Sequence, residues 1–225
     1  MTDHAGTMKD EGTGTNLPHL HPSSFIPHPF PVVVGVLGLQ GDFREHIQKL
    51  QSLGAKTRDI RRTSDLEGID ALIIPGGEST AVAILESSQA GRGIFDEIRK
   101  LGESGLPIWG TCMGSILLAK NIEGSTQGRL GLMDITVKRN AFGPQRFSAE
   151  TPLHIPALGE QPFPGIFIRA PLITQTGANV EVLGEIDRGI VMAREKNFLA
   201  TVFHPEIVDD TRVHEYFLSM IEKVF

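Results

Sequence analysis

From Val32 onward, continuous runs of Val, Ile and Leu alternate with segments of helical period, and this alternation limits the chain to few folds. The run VVVGVLGLQ is apolar and β-branched and ends at Gly41, the pattern of a strand covered on both faces. Phe43, Ile47, Leu50 and Leu53 then recur at spacings of four, three and three, one apolar helix face that Gly54 stops. A short strand through Ile60 and a second buried strand, DALIIP, follow. A helix from about Ile94 to Leu101, the strand LPIWG and a helix through SILLAK repeat the pattern. The later chain is strand-rich (GLMDITVKR, GIFIRA, NVEVLGEI, GIVMARE, NFLATVF). It closes on an amphipathic helix with Val213, Tyr216, Phe217, Met220, Ile221 and Val224 on one side. Strands that alternate with helices pair in parallel through right-handed crossovers. The expected fold is therefore α/β, an open, mostly parallel twisted sheet with helices on both faces and a short antiparallel extension.

At 225 residues the chain suits one domain. Residues 1–31 stand apart: they hold five of the 14 prolines (Pro18, Pro22, Pro27, Pro29, Pro31) and four of the eight histidines (His4, His19, His21, His28) and show no period. They are expected to be a disordered N-terminal extension, with residues 32–225 forming the folded domain. Weak metal binding by the spaced histidines stays open beside that reading, but no metal site is expected. Neither a secretory signal nor an apolar run of ~18 residues occurs, so the expected location is cytoplasmic. Twenty-seven acidic against 21 basic side chains leave a net charge of −6, which argues against a broad basic face for nucleic acid or anionic lipid. The one cysteine, Cys112, rules out an internal disulfide and a four-thiolate zinc site; the thiol is either buried filling or chemistry.

In open parallel sheets, ligands sit beyond the carboxyl ends of the strands. Polar or glycine-rich residues follow four of the apolar runs: Gln40, the GGES loop, Cys112 and His204. The expected fold brings all four to one rim. Gly110, Cys112 and Gly114 form G-x-C-x-G, the shape of a G-x-S-x-G nucleophile elbow. There a sharp strand-to-helix turn strains the nucleophile, and glycines two residues to either side remove side chains that would collide. The turn sets the sulfur at a helix N-terminus, which favours an anion. A cysteine packed between glycines is the alternative, since cysteine is among the most buried residue types; the elbow favours the nucleophile.

A thiol nucleophile needs a base that a third group holds in place. His204-Pro205-Glu206 follows NFLATVF. In extended chain, residues i and i+2 point the same way, so Glu206 would lie beside the His204 ring and fix its tautomer, with Pro205 keeping the backbone extended. H-x-E is mostly a surface pair when met alone; its place at the end of a buried strand favours base and orienter. His46 on the first helix, His154 in a proline-rich stretch and His214 on the last helix compete poorly for that role. In PGGEST (Pro75–Thr80) two glycines let N–H groups turn toward a ligand, as an oxyanion hole requires, and Glu78 and Ser79 suit an α-ammonium group. A phosphate loop is the rival, but G-x-x-x-x-G-K-[ST] is absent and Glu78 would repel phosphate. A plain turn and helix cap is compatible with either.

In chain order, GVLGLQG (Gly35–Gly41), PGGEST, GTCMG, RNAFG (Arg139–Gly143), FIRAP (Phe167–Pro171) and FHPE (Phe203–Glu206) resemble the class I, triad-type glutamine amidotransferases, which are flavodoxin-like. Within them the chain is similar to the glutaminase subunits of pyridoxal 5'-phosphate (vitamin B6) synthase, over about residues 33–225. GxCxG and HPE mark the wider superfamily, whereas GLQG with REH, RNAFG and FIRAP mark this branch. The resemblance implies hydrolysis of L-glutamine to L-glutamate and ammonia through a glutamyl thioester on Cys112, with His204 as base, Glu206 as orienter and no cofactor. It implies an oxyanion hole from the backbone N–H groups of Gly76, Gly77 and Met113. Glutamine would be held by Gly77, Glu78, Ser79, Arg139, Ile168 and Arg169. Gln40 would sit where the synthase subunit docks. That partner is a (β/α)8 barrel with a dodecameric core, which takes up the ammonia and activates the glutaminase on docking; neither nucleic acid nor membrane is an expected partner.

The chain departs from the family pattern at Met113 (usually alanine), at Pro144 (usually arginine) and at Phe147–Glu150, which reads F-S-A-E for D-S-F-E. A glutaminase of the imidazole glycerol phosphate or GMP synthase type is an alternative, against which FIRAP and RNAFG argue. A non-catalytic regulatory subunit on the same fold is another, against which the retained Cys, His and Glu argue.

Overall fold

The computed structural model describes residues 32–38, 43–77, 89–142 and 149–222. The leader 1–31, Gln40, Glu78, Ser79, Gly143, Pro144, Phe147 and Val224 lie outside the described residues. The first half of the chain runs β1 (Val33–Leu37), α1 (Phe43–Ser52), β2 (Lys56–Ile60), β3 (Ala71–Ile74), α2 (Gln89–Glu103) and β4 (Ile108–Thr111). On α1 the expected apolar face packs inward around Leu50, and the helix stops at Gly54, whose φ of +84° is open to glycine.

β1 pairs in parallel with β2 on one side and β3 on the other, and β3 pairs in parallel with β4. The step from β1 to β2 crosses the sheet one way and the step from β3 to β4 the other. Right-handed crossovers therefore put α1 and α2 on opposite faces. This is why β3 is apolar throughout: strands flank it, helices cover the sheet, and all four residues are buried. Each Leu or Ile fully buried there contributes about 1.5–3 kcal/mol.

Beyond β4 the chain forms α3 (Met113–Leu118), β5 (Ala119–Ile122), β6 (Met133–Lys138), β7 (Ala149–Leu153), β8 (Phe163–Phe167), β9 (Leu172–Thr176), β10 (Glu181–Ile186), β11 (Gly189–Glu195), β12 (Phe198–Thr201) and α4 (Arg212–Glu222). The sheet order is β2–β1–β3–β4–β12–β11–β9–β6–β5, with β10 on β11, and β7 and β8 make a separate antiparallel pair. β12 lies parallel to β4, so β2–β1–β3–β4–β12 is the parallel, doubly wound half. β11 runs antiparallel to β12 and β9, and β9 antiparallel to β6. This is the expected mostly parallel α/β sheet with an antiparallel extension; β5, which pairs in parallel with β6, and the short strands β7 and β9 carry no clear alternation and are not marked by the sequence pattern. α3 is shorter than predicted. SILLAK stops being helical at Leu118, and Ala119 is already extended (φ −62°, ψ 141°). Both residues are buried on every side, so hydrophobic period held no signal for the break.

α4 lays Val213, Phe217, Met220 and Ile221 into the core, on the same face as α1. Among the described residues no helix is long and apolar enough to cross a membrane.

Candidate active site

The site grows from three neighbouring parallel strands. Ile74 of β3 is in register with Gly110 of β4, and Thr111 of β4 with Thr201 of β12. The residues just past the three carboxyl ends, Gly76, Cys112 and His204, are therefore brought to one edge by strand register rather than by long loops. Two backbone bonds pin the arrangement: the Cys112 N–H donates to the Thr201 carbonyl (2.8 Å) and the His204 N–H to the Ile166 carbonyl (2.9 Å). Cys112 Sγ lies 3.9 Å from the Ile168 carbonyl. Of the four places predicted to share a rim, these three loops do; Gln40 is not among the described residues.

Cys112 has φ +48° and ψ −108°, a conformation that side chains other than glycine rarely adopt. The elbow glycines do what their spacing predicts. A Cβ on Gly114 would overlap the Ile74 carbonyl, and one on Gly110 would overlap the Gly114 backbone. Met113 opens α3 with its side chain seated in the hydrophobic core, so the residue larger than alanine is accommodated by packing.

His204 and Glu206 are both buried, and His204 Nδ1 lies 2.6 Å from Glu206 Oε1. The pairing agrees with the sequence, but its local cause does not. Pro205–Ile207 is a 3-10 turn, not extended chain, and it folds the carboxylate back under the ring; Pro205 supplies the φ that the first turn position needs. Burial pulls the His204 imidazole down, yet hydrogen bonds to Cys112 and Glu206 and their charge outweigh it, and its pKa is raised to about 10.

Gly76 closes the other side. A Cβ there would stand 2.9 Å from His204 Cε1 and 3.2 Å from Cys112 Cβ, so only glycine lets the loop lie this close. Its own N–H donates to Thr111 Oγ1 (3.1 Å), which engages one of the donors expected for an oxyanion and leaves Gly77 and Met113. The Arg139 turn is stitched to the FIRAP segment by a bond from the Ala141 N–H to the Ala170 carbonyl (3.0 Å), and within that segment Ile168 brings its carbonyl to the sulfur. Arg139 Nη1 donates to Gln127 Oε1 (2.7 Å), so its guanidinium is held by Gln127 and is not preset as a carboxylate grip.

His46 and His214, which sequence position sets aside as candidate bases, are fully buried directly behind Glu206. His46 Nε2 lies 3.5 Å from Glu206 Oε2, and His46 Nδ1 lies 3.0 Å from His214 Nε2. Burial, then the charges of His214 and His204, hold His46 well below the usual 6.5. Burial and Lys49 push His214 down to about 3. A signal existed in the helical period. His46 shares the face of Phe43 and Leu50, and His214 that of Phe217, Leu218 and Ile221, so both point inward.

Comparison with known proteins agrees with this architecture. Residues 36–223 match the model of the SNO glutamine amidotransferase family. The chain is 54% identical over 188 residues to the pyridoxal 5'-phosphate synthase subunit PdxT of Pelotomaculum thermopropionicum, covering 83% of this chain and 93% of that protein. It is 52% identical over 188 residues to the PdxT of Moorella thermoacetica, covering 84% and 98%. A crystal structure described as a glutamine amidotransferase superposes with a TM-score of 0.77 at 46% identity, over 84% of this chain and 98% of that one. With a cysteine elbow, a histidine–glutamate pair and a glycine loop meeting at the parallel strand ends, and with that match running nearly the length of the folded region, the chain belongs to the SNO glutamine amidotransferase family.

Proposed function

We propose that this chain is the glutaminase subunit of a pyridoxal 5'-phosphate synthase, hydrolysing L-glutamine to L-glutamate and ammonia and passing the ammonia to the synthase subunit. One observation carries the reading: a strained, buried cysteine meets a histidine whose far nitrogen is bonded to a buried glutamate at 2.6 Å. The PdxT names of the Pelotomaculum and Moorella relatives support the choice of synthase.

Glu206 occupies His204 Nδ1, so Nε2 serves the sulfur. His204 holds its proton up to about 10, so before attack the Cys112 proton already rests on Nε2, and Cys112 Sγ then bonds to the side-chain amide carbon of glutamine. The carbonyl electron pair moves onto oxygen, where the backbone N–H groups of Gly77 and Met113 stabilise it. On collapse the C–N bond breaks, Nε2–H protonates the leaving nitrogen, and ammonia departs from a glutamyl thioester. Water then loses a proton to Nε2 and adds to the thioester, the C–S bond breaks, and glutamate leaves with the proton kept on Nε2 beside the freed sulfur. Arg139 and Arg169 supply cations for the α-carboxylate, Ile168 lines the site, and Glu78 and Ser79 take the α-ammonium group. Arg139 exchanges Gln127 for the substrate. Gln40 lies where the synthase, a (β/α)8 barrel with a dodecameric core, docks. The catalytic domain spans residues 32–225, with 1–31 as an extension to it. The setting is the cytoplasm, where a lone thiol stays reduced.

The test is glutamate production by wild type and Cys112→Ala with and without a vitamin B6 synthase subunit. The expected result is no detectable turnover by the variant and unchanged co-elution with the synthase. Equal turnover by the two proteins would end the proposal.

A further inference from the structure

Behind the rim lies a buried polar cluster that the hydrolysis above does not use. His46 on α1 and His214 on α4 have no solvent exposure. Trp109 meets both rings edge-on, at centroid distances of 5.3 and 4.9 Å, and so fixes their planes. His46 is in contact with three groups: Glu206 Oε2 at 3.5 Å, Thr111 Oγ1 at 3.4 Å and His214 Nε2 at 3.0 Å. Burying two imidazoles is costly unless their nitrogens are satisfied, so the placement of the protons matters.

A neutral imidazole offers one donor and one acceptor. If His46 Nε2 carried no proton, its lone pair would face the Glu206 carboxylate, which is repulsive. A proton on Nε2 turns that contact into an attraction and makes Nδ1 the acceptor. His214 must then donate from Nε2, and its Nδ1, which has no hydrogen-bond partner among the described residues, is the end of the series. One proton arrangement fits these contacts: His214 Nε2–H to His46 Nδ1, His204 Nδ1–H to Glu206 Oε1, and His46 Nε2–H toward Thr111 Oγ1 with Glu206 Oε2 beside it at 3.5 Å, an electrostatic contact rather than a formed hydrogen bond. Burial keeps His46 and His214 neutral, which preserves this direction of donation. The same His46 ring abuts Thr111, whose Oγ1 accepts the Gly76 N–H at 3.1 Å. One imidazole thus backs both the carboxylate and the glycine loop. Among the described residues no group of three or more His, Cys, Asp or Glu could hold a metal ion, so the cluster is read as a hydrogen-bond series.

We propose that His46, locked in its tautomer by His214, is a positioning residue of the glutaminase site: its Nε2–H faces the second oxygen of Glu206 and steadies the carboxylate electrostatically, so that the first oxygen stays on His204, and its ring supports Thr111 and the Gly76 loop. The inference rests on the reading of Cys112, His204 and Glu206 as a relay. His46 touches neither sulfur nor substrate, so its loss should fall on kcat rather than KM.

The experiment compares wild type, His46→Phe and His46→Gln as full chains with the synthase subunit and L-glutamine. His46→Phe is expected to lose roughly tenfold to a hundredfold in kcat, the size of effect that small misplacement of a catalytic group produces. KM should stay within about threefold of wild type, and His46→Gln, whose amide nitrogen donates from a similar place, should recover most of the kcat. In wild type, two-bond 15N–1H couplings of 15N-histidine-labelled protein are expected to show His46 and His214 as Nε2–H tautomers. A folded His46→Phe with kcat within about threefold of wild type would overturn the proposal, as would a folded His46→Gln reduced more than about tenfold. An Nδ1–H tautomer at His46 would overturn it as well, and that readout holds even where His46→Phe does not fold. Wild type without glutaminase activity, or Cys112→Ala with full activity, would instead sink the underlying relay. An active wild type, an inactive Cys112→Ala and an unaffected His46→Phe would sink this inference alone.

Discussion

A methyl group at Gly114 would run into the Ile74 carbonyl of β3, a backbone atom that cannot rotate away. Gly114→Ala must therefore shift β3 or α3, at a cost of about 1–3 kcal/mol or more. The expected drop in melting temperature, read by calorimetry, is roughly 2–10 °C for a chain of this size. Gly76 differs in what surrounds it. A Cβ there meets His204 and Cys112 side-chain atoms, so Gly76→Ala should leave the melting temperature nearly unchanged and cut kcat by at least about tenfold. An unchanged kcat would show that the ring can give way without loss. Both glycines are visible in sequence as G-x-C-x-G and PGGEST; which one guards stability and which guards chemistry is set by the atoms across the gap. Cys112, His204 and Glu206 were legible because each follows or ends a buried strand. His46 and His214 were harder to see, since a histidine on an apolar helix face reads as ordinary core until its partners across the fold are known.

At the scale of elements, α4 depends on a clamp at its first residue. Arg212 Nη1 donates to the Leu158 and Gln161 carbonyls (3.2 and 2.7 Å), Nη2 to the Pro162 carbonyl (3.1 Å) and Nε to Asp210 (3.0 Å). The guanidinium also lies over the Phe163 ring at 5.8 Å. A lysine is a single point charge and cannot span three carbonyls in different directions. Arg212→Lys is expected to lose about 1–3 kcal/mol, seen as a lower urea midpoint with unchanged m-value. A midpoint equal to wild type would mean that water replaces the lost bonds. No sequence pattern announces this clamp, because its acceptors are main-chain carbonyls some fifty positions away. The same limit explains why α3 and the turn at Pro205–Ile207 differ from expectation. Where every neighbour is buried, or a proline and its successor are free to turn, local pattern does not choose between continuing and bending.

For the whole molecule, three buried histidines divide the pH scale between them. The folded chain holds the His204 proton up to about 10 against the usual 6.5, so that contribution is fully present below pH 6.5 and is lost as pH rises through about 10. His46 and His214 act in the opposite sense. His214 is pushed down to about 3 and His46 well below 6.5, so the unfolded chain takes up protons that the folded chain does not. Their contribution is complete above pH 6.5 and is lost as pH falls from there toward about 3. His46 faces His204, His214 and Glu206, and Lys49 acts on His214, so these are the charges that set the acid limb. Melting temperature measured against pH should therefore fall on both sides of neutrality. The acid limb should be shallower in His214→Phe and the alkaline limb shallower in His204→Gln. Identical limbs in wild type and variants would contradict the assignment.

Local pattern in the chain determined the parallel half of the sheet, the elbow at Cys112 and the residues waiting at the ends of β3, β4 and β12, because hydrophobic period and glycine spacing record burial and turn sterics directly. The tertiary structure alone decided that β4 and β12 are neighbours in register, and that His46 from α1 and His214 from α4 stand behind Glu206. Those contacts join residues up to 168 positions apart, and their energies come from desolvation and hydrogen-bond geometry that exist only once the core has closed.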